Sequence, residues 1–346
     1  MGLKSSIRLH DSEARQGMLH DRLVGSGTLD QPKGHSNPLF ALPATVNWMR
    51  ALRILVENEG LDFSKAEASF AQVKQRQVRK SREHFELMQN TVLMQLFLAL
   101  HNLSALEQFP TGKRVSDHAR VGIIAWYYGI ADAACAMTVA QGGSFSKTHR
   151  GTADSWDKHM ASKDLVMYPF NWRVGSLVKQ SYEAEIENYR DGSSGILQQT
   201  PDSKIKAIGA AAQYLKGCAD WYAEIEKEKI KKDRAFKDLE VDDFRTKNAR
   251  ELRDRWLKNR SIGFVHQAYR YRGKANYREA LFLAYGSKTN AFMTTFIDDL
   301  AIVLRGFLTM AGALAKRKLG DSLWTEFVSD VDANGAFSIK ASCIWS

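Results

Sequence analysis

Proline, cysteine and long apolar runs are all scarce in this chain, and each shortage closes off a class of structure. The six prolines, Pro32, Pro38, Pro43, Pro110, Pro169 and Pro201, leave the intervals 44–109 and 202–346 free of the residue that breaks helix interiors. The three cysteines, Cys135, Cys218 and Cys343, are odd in number and far apart, with no CxxC pair. That spacing excludes a disulfide framework and a zinc ribbon. Cys135 and Cys218 lie among alanines and aromatics and read as small core residues, so a reducing compartment is expected. Stretches 91–106 and 291–314 are strongly apolar, yet Gln95 and His101 interrupt the first and Asp298, Asp299 and Arg305 the second. Neither is the run of about 18 apolar residues that a membrane span needs. Residues 1–15 carry Lys4, Arg8, Asp11, Glu13 and Arg15 without the apolar segment of a secretory signal. The expectation is a soluble, cytoplasmic protein with no membrane partner. Alternating strand patterns, internal repeats, a Walker GxxxxGK[ST] loop, a GxSxG elbow and an HExxH helix are also missing.

What is present is an ordinary globular composition, 44 % apolar and 10 % aromatic, with a net charge of +10. Such a chain forms a core, and its surface favours polyanions, because cations that meet phosphates release counterions. Apolar residues recur at helical spacing through much of its length. The pattern predicts helices over Val46–Glu57, one or two between Phe63 and Phe109, and a strongly buried one over 115–141 stopped by Gly142 and Gly143. It predicts a loop and a short capped helix within SFSKTHRGTADSWDKHM (144–160), then helices over 203–235, 242–259, about 264–285 and 289–319, with a short one at Ser322–Val328. YPFNW and DGSSG mark 161–201 as irregular. The predicted class is all-α. Residues 1–40 read as a loosely ordered arm, 41–110 as an N-terminal helical region, 111–320 as the main helical domain, and 321–346 as a tail.

The first candidate chemistry is Arg260-Ser-Ile-Gly-Phe-Val-His266. Metal-independent RNA cleavage needs a base near pKa 7 for the ribose 2′-hydroxyl and a permanent cation for the phosphate, and histidine with arginine supplies both. Six residues apart on an unbroken helix the two would lie about 120° apart. Gly263 instead suggests Arg260 on an entry turn and His266 in the first helical turn. Spacing alone is unspecific, since Arg15…His20 and Arg79…His84 also fit. Context singles out the third pair: Tyr269, Arg270, Tyr271, Arg272, Lys274, Tyr277 and Arg278 follow, interleaving cations with rings that suit single-stranded RNA. The competing reading is a solvated helix face with snorkelling tyrosines.

The segments AWYYGIADAACAM and SFSKTHRGT, followed by Arg-x5-His, resemble HEPN domains (higher eukaryotes and prokaryotes nucleotide-binding) over about residues 115–320. The resemblance implies a HEPN-type helical bundle with an added N-terminal helical region and an insertion at about 161–200. It implies a dimer whose Arg/His sets meet across a cleft and cut RNA without metal, leaving 2′,3′-cyclic phosphate ends, in toxins or bacterial antiviral defence. Carried onto this chain, His266 is the base, Arg260 steadies the phosphate and Ser261 assists. The resemblance calls for no cofactor or metal; the cation–tyrosine run itself makes Arg270, Arg272, Lys274, Arg278 and Tyr269 the residues expected to hold RNA. Ser261 departs from the family's usual Asn, Asp or His after the arginine.

His149, Asp154, Asp157 and His159 have ligand chemistry, but their spacing scatters them around a helix, and the two aspartates read as dipole partners of its first turns. The alternative to an enzyme is a non-catalytic helical subunit that docks a protein or nucleic acid, using the apolar Leu93–Leu106 stretch. A DNA-binding regulator is a third reading, without a recognisable helix-turn-helix.

Overall fold

The computed structural model describes residues 38–75, 81–110, 114–276, 280–285 and 289–346, together with Arg22. The presumed arm 1–40 falls almost wholly outside these residues, as does Arg278. The described chain is mostly α-helical, with no strand among the described residues. Helices of eight residues or more are α1 (Pro38–Glu59), α2 (Phe63–Phe70), α3 (Arg82–Glu107), α4 (Ser116–Ala140), α5 (His149–His159) and α6 (Lys179–Arg190). They continue with α7 (Lys204–Lys232), α8 (Lys247–Lys258), α9 (Phe264–Asn276), α10 (Phe296–Leu319) and α11 (Asp321–Asn334).

Helix α4 is the axle. Its small residues, Gly122, Gly129, Ala133, Ala134 and Ala136 among them, are buried and let α3, α5, α9 and α10 approach closely. By length and composition this helix would cross a membrane, but 78 % of its most apolar window is buried inside the fold, as expected of a core helix. Across α4, helix α10 packs against α1, α2 and α3, while α1 also lies along α7. Where α1, α4, α7 and α9 meet, Trp48 stacks on Tyr214 at 4.0 Å and Tyr271 lies within 5.4 Å of both Trp48 and Trp126. A single hydrophobic cluster runs from Val46 to Trp345, so residues on both sides of position 110 share it.

Three departures from the sequence reading have physical causes. Helix α1 begins at Pro38 and contains Pro43, whose position near the start leaves few intrahelical bonds to lose. Helix α6 lies inside the stretch read as irregular. Its sequence is mostly polar, yet Tyr182, Ile186 and Tyr189 recur at helical spacing and pack inward. The presumed tail carries the full helix α11 and a last turn, Ser342–Trp345, whose Trp345 is buried and donates its indole N–H to the Leu308 carbonyl at 2.9 Å.

The start of α9 is clamped from outside. Val174 and Ile262 form an isolated antiparallel bridge, with N–H···O distances of 2.9 and 3.1 Å, and the Leu177 amide bonds to the Leu257 carbonyl. Ser261 and Gly263 are thereby held against α5, and Arg260 against α7 and α8.

Candidate functional site

His266 is the third residue of α9, where a side chain can reach back to the backbone N–H that precedes the helix. It does so: its Nδ1 accepts from the Gly263 amide at 3.2 Å, and its Nε2 lies 2.8 Å from Asp154 Oδ1. A backbone N–H can only donate, so Nδ1 is the lone-pair nitrogen and Nε2 carries the proton. The ring has zero exposure, with Tyr222 edge-on and its hydroxyl donating to the His266 carbonyl. His266, expected from the sequence to be the base, thus spends its one basic lone pair on a buried backbone bond. Burial alone would push the Asp154 carboxyl up, but His266 and Arg150 together hold it below the usual carboxylate range.

Arg260 is 46 % exposed, with its guanidinium 5.4 Å above the Trp256 ring. Its Nε is 3.5 Å from the buried Glu226, which also takes Lys229 at 2.6 Å and the Trp256 indole N–H at 3.0 Å. Burial pushes the Glu226 carboxyl up, and these donors more than offset it, so the group stays ionised at neutral pH. Arg150 joins the two halves: its Nε bonds to Asp154 and its NH2 is 3.9 Å from Glu226. Arg260 and His266 thus belong to one chain of charges, Arg260–Glu226–Arg150–Asp154–His266, but present no shared open face.

Ser261 donates to Asp157 Oδ2 at 2.6 Å. Asp157 is buried and forked by Arg173 at 3.1 and 3.2 Å. A Cβ on Gly263 would lie 2.7 Å from Asp157 Oδ1, which is why glycine stands there. Asp154 and Asp157, read from sequence as dipole partners of α5, instead fasten α5 to the entry of α9. Among the described residues no three His, Cys, Asp or Glu side chains gather as a metal site.

The cations after His266 divide between two sides. Arg270 lies against α7, its NH1 3.4 Å from Cys218 Sγ and its guanidinium 5.6 Å from the Trp221 ring. Lys274 is half-buried on the same helix. Arg272 lies against α4 and α5, 5.1 and 5.3 Å above the rings of Tyr127 and Tyr269. Its NH1 donates to His149 Nε2 at 2.9 Å, a contact that sequence reasoning missed because the partners are 123 residues apart. Tyr269 stacks on His149 with centroids 5.9 Å apart.

No family model matches the chain, nor does any curated protein or solved structure. The structure defines an all-α protein built around one buried central helix, with arginine–aromatic contacts concentrated where α5, α7, α8 and α9 meet.

Proposed function

We propose that this chain is an endoribonuclease that cuts single-stranded RNA without a metal ion, an effector of the toxin or antiviral-defence kind. The observation that carries this reading is the stacking of four arginines over aromatic rings on adjoining helices: Arg150 on Tyr222, Arg260 on Trp256, Arg270 on Trp221 and Arg272 on Tyr269. Cations set among aromatic rings suit single-stranded RNA, whose phosphates meet cations and whose bases stack on rings, and the exposed Trp221 and Tyr128 offer such faces. The net charge of +10 and the resemblance to HEPN domains support the same reading. That resemblance also suggests that the working form is a homodimer or larger assembly, kept silent by a partner protein.

The test is incubation of the purified protein with end-labelled single-stranded RNA in excess EDTA. Fragments ending in 2′,3′-cyclic phosphate are expected, with Arg270→Ala and Arg272→Ala weakening RNA binding. Intact RNA and no salt-dependent binding would overturn the proposal. A second reading, a non-catalytic docking subunit, is favoured by Leu87, Met94 and Leu98, which expose an apolar stripe along α3 while Leu96, Leu100 and Leu103 of the same helix are buried. It predicts a protein that purifies with a bound partner chain and leaves RNA intact.

A further inference from the structure

Two histidines of this fold are paired with charged partners through Nε2, and they are wired in opposite ways. In His266 the Nε2 is the protonated nitrogen and the lone pair is buried on a backbone amide. In His149 the Nε2 accepts from Arg272, and a guanidinium can only donate, so here Nε2 holds the lone pair and Nδ1 the proton. His149 is half-buried at the first position of α5, behind the Thr148 cap, with the exposed Tyr128 ring 5.6 Å away.

Arg272 is a cation with an incomplete set of partners. Its Nε is buried without a hydrogen bond, and so is the hydroxyl of Tyr127 beneath it. Among the described residues no carboxylate stands within ion-pair distance of Arg272, in contrast to Arg150, Arg173 and Arg260. A half-buried guanidinium without a counter-anion is costly unless an anion arrives to meet it. The positive end of the α5 dipole points toward the same place and favours the same guest.

We propose that His149 and Arg272 are the reacting pair of an RNA-cleaving site on the α4–α5–α9 seam, with Tyr128 as the ring on which the base beside the cut is stacked. The proposal rests on the ribonuclease reading and reassigns its chemistry. The scissile phosphate draws the Arg272 donors to itself, which frees the Nε2 lone pair of His149. The 2′-hydroxyl gives its proton to Nε2 as the 2′-oxygen bonds to phosphorus. The P–O5′ bond breaks, the 5′-oxygen takes a proton from water, and the imidazolium later returns its proton to water. The products are a 2′,3′-cyclic phosphate and a free 5′-hydroxyl.

The groups facing His149 are Arg272 and Tyr269 from α9 and Tyr127 and Tyr128 from α4. Burial and the Arg272 charge lower its pKa from the ordinary histidine value, so the free base prevails at pH 7 and is lost only on acidification. Cleavage should be level around and above neutral pH and fall as acidification protonates His149, at a lower pH than for an ordinary histidine.

The experiment compares the full-length parent protein with His149→Gln, His149→Ala and Arg272→Ala in EDTA. Three readouts are taken: cleavage of labelled RNA, binding of an uncleavable 2′-O-methyl RNA, and thermal melting. Expected are a fall in cleavage of about 100-fold or more in His149→Gln, with 2′-O-methyl RNA binding kept, and partial rescue of His149→Ala by added imidazole. Arg272→Ala should lose both cleavage and binding. A parent that cuts, with His149→Gln cutting equally well, overturns the assignment and leaves the ribonuclease reading standing. Loss of cleavage matched by loss of binding and melting, without imidazole rescue, overturns it too by making His149 structural. A parent inert on all RNA removes both proposals.

Discussion

At the scale of single residues, what decides chemistry in this fold is which nitrogen of a histidine is already taken. His266→Ala removes the Gly263 partner, the Asp154 bond and a buried ring. The expected cost is about 2–4 kcal/mol, read as a lower denaturation midpoint. Any loss of activity in that variant should follow the loss of stability, so activity at a temperature well below melting would be largely retained. Asp132 offers a second test. Burial on α4 pushes its carboxyl up to about 7, and Asn102 donates to it at 3.4 Å. The folded state therefore holds this proton more tightly than the unfolded chain, whose value is about 3.9. Stability drawn from that difference is present below pH 4 and lost as the pH climbs to 7. Asp132→Asn should match the parent at pH 4 and melt higher than it at pH 8.

At the scale of elements, the helices legible in the sequence are those whose apolar spacing is long and unbroken. The expected 115–141 segment is α4, and the expected 203–235 segment is α7. Helix α6 was hidden because its inward face is only Tyr182, Ile186 and Tyr189 among charges. The docking of Trp345 was hidden because a four-residue turn has no period to detect. Its anchoring depends on α10: a Cβ on Gly312 would lie 2.5 Å from the Trp345 ring, so the indole uses the space that glycine leaves. Trp345→Ala should cost about 3–5 kcal/mol in urea or thermal unfolding, the usual range for a buried tryptophan. The candidate site divides along the same line. Arg260, Ser261 and His266 were visible because they are close in sequence. The pairings that set their roles, with Asp154 112 residues away and with Asp157 104 residues away, were not.

At the scale of the whole molecule, the N-terminal region and the rest of the chain are locked by charge as well as by packing. Asp299 of α10 is fully buried between Arg50 and Arg53 of α1, at 3.2 and 3.0 Å, with Thr295 completing its shell. Burial pushes its carboxyl up even so, a sign of how dry the junction is. Asp299→Ala removes the shared partner of two partly exposed guanidinium groups, Arg53 keeping Glu57, and should cost about 1.5–3 kcal/mol. Should α1 instead be a loosely attached addition, that substitution would leave the melting of the remaining helices unchanged, and circular dichroism would separate the two outcomes.

The opposite wiring of His149 and His266 has a spectroscopic consequence. In a ring-15N correlation spectrum at pH 8 the two imidazoles should display exchanged patterns, with the low-field unprotonated nitrogen at Nε2 in one and at Nδ1 in the other. The Nε2 proton of His266, sealed beneath Tyr222, should persist in heavy water long after the surface imidazoles have lost theirs.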